Sequence, residues 1–288
     1  MMEKQLQVTA PAKINLTLDI TGIRSDGYHE LVTVMHQISL ADTVTLTRQE
    51  SGITLNTGHP DLLDDERNLA WQAAELMRQK YGFPGGLAIQ IEKRIPIEAG
   101  LAGGSTDAAA VITGINRLFG LDLSSETLQA RGAELGADVP FCIAGGTALC
   151  TGRGDVIRPL SASPHLYMVL VKPDFSLSTA AVYRQFDRLS AFHRPRHELF
   201  LPAWGEHRLR DFPAAMGNVL QDASLVLRPE IRQPIDELRK LGAIAAQMSG
   251  SGPSVFGIFA GASEARAAAA ELAGAYPVCL VTESFDRG

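Results

Sequence analysis

Apolar positions in the first third of the chain fall at strand spacing. Residues 5–9 and 14–20 alternate or run apolar, Ser25-Asp26-Gly27 is a turn signal, and residues 32–38 run apolar again. Residues 43–47 and 52–56 predict a hairpin pair. From residue 68 the spacing becomes helical: Leu69, Ala73, Leu76, Met77 and Tyr81 make one stripe, ended by Gly82. Leu87, Ile89 and Ile91 alternate as a strand. Helices follow over 105–118, closed by Gly120, and over 124–135, with Ser124 as N-cap and Gly136 as stop. Gly152 to Asp155 is a turn, and 167–171 is a strand rich in β-formers. Pro229 opens a helix carrying Ile231, Ile235, Leu238 and Leu241, ahead of a strand at 255–259, a helix at 263–272 and a last strand at 278–282. Six arginines between residues 184 and 212 mark a solvated, loop-rich helical stretch. Strands and helices mix in both halves, which predicts an α+β chain in two lobes.

The length of 288 residues suits two domains at about 150 residues each. The boundary falls near residue 160, between Pro159 and Pro164, giving units 1–160 and 161–288. There are 26 basic and 32 acidic residues, a net charge of −6, and the first 160 residues carry 13 basic against 19 acidic. Neither half is basic enough for a nucleic-acid footprint. Only 6 of the basic residues are lysines, so a lysine inside an apolar run stands out. Three cysteines without metal spacing predict reduced thiols, and the opening MMEKQLQVTA lacks an apolar signal core, so a cytoplasmic protein is expected. The uncharged run 241–263 is long enough for a membrane span. It holds five glycines and Pro253, however, and reads as a Gly-rich loop leading into a buried strand, so no membrane partner is expected.

Four strings carry chemistry. Pro96-Ile97-Glu98-Ala99-Gly100-Leu101-Ala102-Gly103-Gly104-Ser105-Thr106 follows a predicted strand and opens a predicted helix. Glycines let the backbone approach an anion, and the helix start adds roughly half a positive charge and unpaired N–H groups. This is a phosphate cradle, though without the Lys-Ser/Thr of a Walker A loop. Its glycines alone would also suit a capped helix after a tight turn. Pro11-Ala12-Lys13-Ile14-Asn15-Leu16 puts Lys13 and Asn15 on one face of an apolar strand, which requires a partner for the lysine or a wet edge. Gly136-Ala137-Asp138-Val139-Pro140 sets Asp138 among small and apolar residues, either as a turn aspartate or as a proton acceptor. Gly250-Ser251-Gly252 is a second Gly-rich turn before a strand. Beside these, Arg24-Ser25-Asp26-Gly27-Tyr28-His29 offers an aromatic face and ring nitrogens suited to a base.

In order and spacing these strings resemble the GHMP kinase superfamily, from residue 8 to about 260, with residues 184–245 adding little. Arg24–His29 and Leu135–Phe141 are similar to the branch whose acceptor is a methylerythritol carrying a cytidine diphosphate. Ala102 stands where many members have Gly, and Thr106 where Ser is usual. The resemblance implies a two-lobed fold, with an N-terminal ribosomal-S5-like lobe and a C-terminal ferredoxin-like α/β lobe. It implies ATP-dependent phosphorylation of the acceptor's 2-hydroxyl in non-mevalonate isoprenoid biosynthesis, with ATP and Mg2+ as cofactors, in a monomer or homodimer. Asp138 would be the catalytic base and Lys13 its partner near the transferring phosphate. Residues 96–106 would wrap the ATP phosphates, with Ser105 and Thr106 near phosphate or magnesium, for which no acidic pair marks a protein site. Tyr28, His29 and Tyr183 would meet the cytosine, and Asn15, Asn68 and Thr179 would hold substrate. The alternatives are a homoserine or mevalonate type of GHMP kinase, which has no base to stack, a non-catalytic ligand sensor, and an RNA-binding protein. The intact Lys13, Ser105, Thr106 and Asp138 oppose the second, and the charge of −6 opposes the third.

Overall fold

The computed structural model of the chain describes residues 4–161 and 164–285. The start of the N-terminal stretch read above (1–3) and part of the polar stretch at the expected boundary (162–163) lie outside the described residues.

Alternating apolar residues make β1 (Gln5–Ile23) and β2 (His29–Gln49) one long antiparallel pair, turning at the expected Ser25-Asp26-Gly27. The two strands expected at 5–9 and 14–20 are one strand with its register shifted between Pro11 and Lys13. Proline has no N–H for the ladder, so a bulge forms there instead of a break. The expected hairpin of 43–47 with 52–56 does not form. Residues 43–49 pair antiparallel with β4 (Gly86–Glu92), and β3 (Ile53–Asn56) lies parallel on β4's far side. Gly86 permits this: a Cβ there would stand 2.3 Å from the Gly52 carbonyl oxygen, so only a bare backbone threads past that turn.

α1 (Leu69–Tyr81), α2 (Gly103–Phe119), α3 (Ser125–Leu135) and α4 (Val139–Ala144) pack their apolar stripes on this sheet, around Leu46, Ile89, Met77, Ile112 and Phe141. β5 (Thr147–Gly152) extends the sheet beside β2, and β6 (Val156–Pro159) pairs with β5 across the expected turn.

The remaining elements are β7 (Tyr167–Lys172), α5 (Thr179–Phe186), α6 (His197–Gly205), α7 (Phe212–Ala215), β8 (Gly217–Asn218), α8 (Val219–Leu227), α9 (Arg232–Lys240), β9 (Ala245–Met248), β10 (Val255–Phe259), α10 (Ala262–Glu271) and β11 (Val278–Glu283). Four of the strands form a second sheet, ordered β11-β7-β10-β9 and antiparallel throughout. Counted along the chain that order is 4-1-3-2, the ferredoxin-like arrangement. The run 241–263 contains a strand, β9, before its glycine loop. The arginine-rich stretch contains α6, which buries Phe200 and Trp204. Pro229 opens a short 3₁₀ turn, and the helix proper begins at Arg232.

The two sheets share an apolar layer. Ile14, Leu16, Val34 and Ile38 of the first meet Met168, Leu170, Phe256 and Ile258 of the second. β8 also joins the first sheet, pairing with Thr17 and Leu18. Among the described residues, no helix is long and apolar enough to cross a membrane.

Candidate active site

The cradle forms where the chain leaves β4. Glu98, Gly100 and Ala102 all take positive φ, at 51°, 75° and 59°, which coils residues 98–102 tightly before α2. The helix begins at Gly103, two residues before its expected start. Its first internal bond runs from the Thr106 N–H to the Ala102 carbonyl (2.9 Å). The N–H groups of Gly103, Gly104 and Ser105 therefore lie at the open end of the helix, where an anion is favoured. Ala102 occupies a left-handed position that costs an L-residue about 1 kcal/mol or more. The departure from the superfamily's glycine thus sits where the backbone has most use for one.

The Gly250 turn docks on this loop. Ser249 Oγ donates to the Gly100 carbonyl (3.0 Å), and the Lys13 N–H donates to the Leu101 carbonyl (3.1 Å). A Cβ at Gly100 would lie 2.3 Å from the Ser249 carbonyl oxygen, and one at Gly250 would lie 3.5 Å from Lys13 Nζ. Three strings far apart in sequence meet here at van der Waals distance. Asn218 holds the turn from behind, donating to the Met248 (2.9 Å) and Gly250 (2.8 Å) carbonyls, and Gln247 ties it to β1 through the Asn15 and Leu16 carbonyls.

Lys13 is 4% exposed, which decides the question its apolar strand posed: it points inward with partners. Its Nζ donates to Asn15 Oδ1 (2.7 Å) and stands 3.7 Å from the carboxylate of Asp138. Asn15 in turn donates to Thr33 Oγ1 (2.8 Å), so the amide is oriented from below. Asp138 is the residue before α4, and its side chain is one-third exposed. The helix that holds it was not expected, because Gly136 read as a stop and six residues are too few to show periodicity.

Two joined cavities open on this pair. The inner, of about 370 Å³, is lined by residues 96–105 together with Lys13, Asn15, Asn68, Asp138, Thr179 and Tyr183. The outer, of about 590 Å³, shares Ser105, Asp138, Thr179 and Tyr183 with it and is closed by Tyr28, His29 and Arg153. His29 Nε2 lies 2.7 Å from Asp187 Oδ1, and its ring centroid is 4.9 Å from that of Tyr183. Burial, and the charge of Asp138, push the Tyr183 hydroxyl above the usual phenol range, so it stays protonated. Thr179 shares a hydrogen bond with Ser251 Oγ (2.9 Å).

One expected residue is placed away from both cavities. Thr106 is absent from both cavities: it is 1% exposed, and its hydroxyl donates to the Pro11 carbonyl (2.8 Å). One step along a helix turns a side chain by about 100°, which carries the Thr106 hydroxyl away from the cradle to Pro11. Asn68 reaches the inner cavity as expected, with Oδ1 capping α1 at Ala70 N–H and Nδ2 donating to the Leu63 carbonyl (both 2.9 Å).

The sequence reading missed one charged cluster on the inner cavity. Lys93 Nζ bridges Asp42 (2.5 Å) and Asp107 (2.6 Å), all three nearly buried. Burial pushes the Asp107 carboxyl up, with Lys93 pulling the other way. Asp42 also accepts the N–H groups of Arg94 and Ile95, so the trio braces the loop's entry. The lysine count was the available signal, and Lys93 escaped it because it follows a strand instead of lying within an apolar run. Among the described residues, no group of three or more His, Cys, Asp or Glu is arranged to hold a metal ion.

Two family models match the chain: GHMP kinases N terminal domain over residues 68–146, and GHMP kinases C terminal over residues 195–278. A protein of Syntrophomonas wolfei named 4-diphosphocytidyl-2-C-methyl-D-erythritol kinase is 48% identical over 258 residues, 90% of each chain. One of the same name from Alkaliphilus metalliredigens is 42% identical over 285 residues, 99% of this chain and 98% of its own. A crystal structure of 4-(cytidine 5'-diphospho)-2C-methyl-D-erythritol kinase superposes with a TM-score of 0.84 at 35% identity, covering 98% of this chain and all of that one.

Proposed function

The chain belongs to the GHMP kinases and, within them, to the 4-diphosphocytidyl-2-C-methyl-D-erythritol kinases, and we propose that the two joined cavities are where it does that family's work. It is an ATP-dependent small-molecule kinase. It phosphorylates the 2-hydroxyl of 4-diphosphocytidyl-2-C-methyl-D-erythritol in the non-mevalonate route to isoprenoid precursors.

In this reading the inner cavity takes ATP, with its phosphates against the N–H groups of Gly103, Gly104 and Ser105, and the outer takes the acceptor. Phosphoryl transfer is mainly positioning and charge stabilisation. Lys13 supplies a fixed cation at the junction, 3.7 Å from the Asp138 carboxylate that faces the acceptor hydroxyl. Asp138 takes that hydroxyl's proton as the oxygen attacks the γ-phosphorus. Tyr28, His29 and Tyr183 receive the cytosine, Thr179, which lines both cavities, orients the polyol, Asn15 holds Lys13 in place beside it, and Asn68 acts on the nucleotide side through the helix it caps. A magnesium ion, which takes one or two protein oxygens and the rest from phosphate and water, would find the Ser105 hydroxyl at the cradle and would neutralise phosphate charge. Thr106 positions the loop through Pro11 instead of touching substrate.

We also place the division between two units near residue 160, with residues 1–160 supplying the cradle, Lys13 and Asp138 and residues 161–288 supplying Thr179, Tyr183 and the Gly250 turn. We further propose a cytoplasmic enzyme, monomeric or homodimeric, with no nucleic-acid partner, in keeping with its net charge of −6. The observation that carries the reading is the 3.7 Å approach of Lys13 and Asp138 at the junction of the two cavities. The homoserine or mevalonate type is not favoured, because the outer cavity is walled by two tyrosines and a histidine that a small acyclic acceptor would leave empty. Purified protein with ATP should add one phosphoryl group, read by mass spectrometry, to the cytidine-bearing acceptor and not to homoserine or mevalonate. Phosphorylation of either small acceptor at a comparable rate would overturn the assignment.

A further inference from the structure

The outer cavity contains a cation that the reading above leaves without work. Arg153 sits on the turn between β5 and β6. Among the described lining residues of that cavity it is the sole arginine or lysine. Its guanidinium carbon stands 5.5 Å from the centre of the Tyr28 ring. Asp155 holds it from behind, accepting Nε (3.1 Å) and Nη2 (2.8 Å) on one carboxylate oxygen and the Arg153 N–H (3.0 Å) on the other. That grip uses one edge of the guanidinium and leaves Nη1 for a further partner. The side chain is about one-third exposed, so an anion can reach it without burial of an unpaired charge.

The other charged groups on this cavity are committed. Asp138 is paired with Lys13, and His29 with Asp187. A base at Tyr28 and a reacting hydroxyl at Asp138 put the diphosphate that joins them between these two ends of one cavity, and a diphosphate diester is a dianion. Arginine's planar fork suits phosphate oxygens in a way that a point charge does not.

We propose that Arg153, held by Asp155, is the residue that binds the diphosphate of the acceptor, so that this enzyme selects a nucleoside-diphosphate ester by its charge as well as by its base. The proposal rests on the reading that the outer cavity takes the cytidine-bearing acceptor. Binding of CDP and of cytidine to the wild type, Arg153→Gln and Arg153→Lys tests it by titration calorimetry, with ATP affinity as the measure of an intact site. A charge-assisted hydrogen bond is worth about ten- to hundredfold in affinity. The Gln variant should lose that much for CDP, keep its affinity for cytidine and for ATP, and show the same rise in acceptor KM. The Lys variant should recover part of the loss. Equal weakening of CDP and cytidine would mean that Arg153 acts only through Tyr28, and unchanged CDP affinity would mean that it does not meet the diphosphate; either overturns the proposal. A wild-type protein that binds neither CDP nor cytidine would overturn the reading of the cavity itself, and this assignment with it.

Discussion

Lys13 shows how far a single residue can be read. Its oddity in an apolar strand, in a chain with 6 lysines, was visible in the sequence, and so was the need for a partner. The partner's identity came from the family resemblance and not from the local sequence, because Asp138 is 125 positions away and only the fold brings the two within 3.7 Å. Thr106 shows the opposite case: its hydroxyl looked equivalent to that of Ser105, and the rotation between neighbouring helical positions sent it to Pro11. His36 gave no signal at all. It is buried between Thr147 Oγ1 (2.7 Å) and Ser284 Oγ (3.0 Å), joining the first sheet to the residue that follows β11. Burial lowers its pKa to about 3. The unfolded chain, with an ordinary histidine near 6.5, then binds the proton that the folded chain refuses. Stability from this group is full above about pH 6.5 and is lost as pH falls toward 3. Between pH 7 and pH 5 the loss amounts to about 2 kcal/mol. Urea midpoints at the two pH values should show that extra loss in the wild type and not in His36→Gln. Identical pH slopes in the two proteins would contradict it.

Among elements, long periodic ones were legible and short or non-local ones were not. The stripe of α1, the cap and stop of α3 and the alternation of β1 and β2 carry their own signal. β3 looked like the partner of β2's end because the two are adjacent in sequence, and nothing local reveals that β4 inserts between them. α4 and β9 are too short to establish a period, yet Asp138 stands at the start of α4 and β9 leads into the turn that docks on the cradle. That docking is the element-scale device of the site. At Gly100 the backbone has φ 75° and passes so close to Ser249 that a methyl group has no room. Gly100→Ala should therefore part the cradle from the Gly250 turn. Strained backbone costs about 1–3 kcal/mol, so ATP affinity should fall about ten- to hundredfold in titration calorimetry, with a lower melting temperature. Wild-type nucleotide affinity in that variant would show that the contact between the two loops does not shape the cradle.

At the scale of the whole molecule, the two lobes were legible from the mixture of strands and helices, but their union was not. The layer of Ile14, Leu16, Met168, Leu170 and Phe256 that joins the sheets comes from strands that each read as buried on their own account. β8 crosses from the second half to pair with β1, and the site lies along this seam, with Lys13 and Asp138 on one side and Thr179, Tyr183 and Ser251 on the other. A seam packed with apolar side chains keeps these groups in register without a ligand, which is what a reaction run on positioning requires. The central claim is that a carboxylate held by a buried lysine takes the acceptor's proton where the two cavities meet. Single-turnover phosphorylation by Asp138→Asn tests it most directly, because the amide keeps the shape and removes the base. The rate should fall by about 10²–10⁴ while ATP and CDP bind as in the wild type; a rate near that of the wild type, with both ligands bound, would contradict the account.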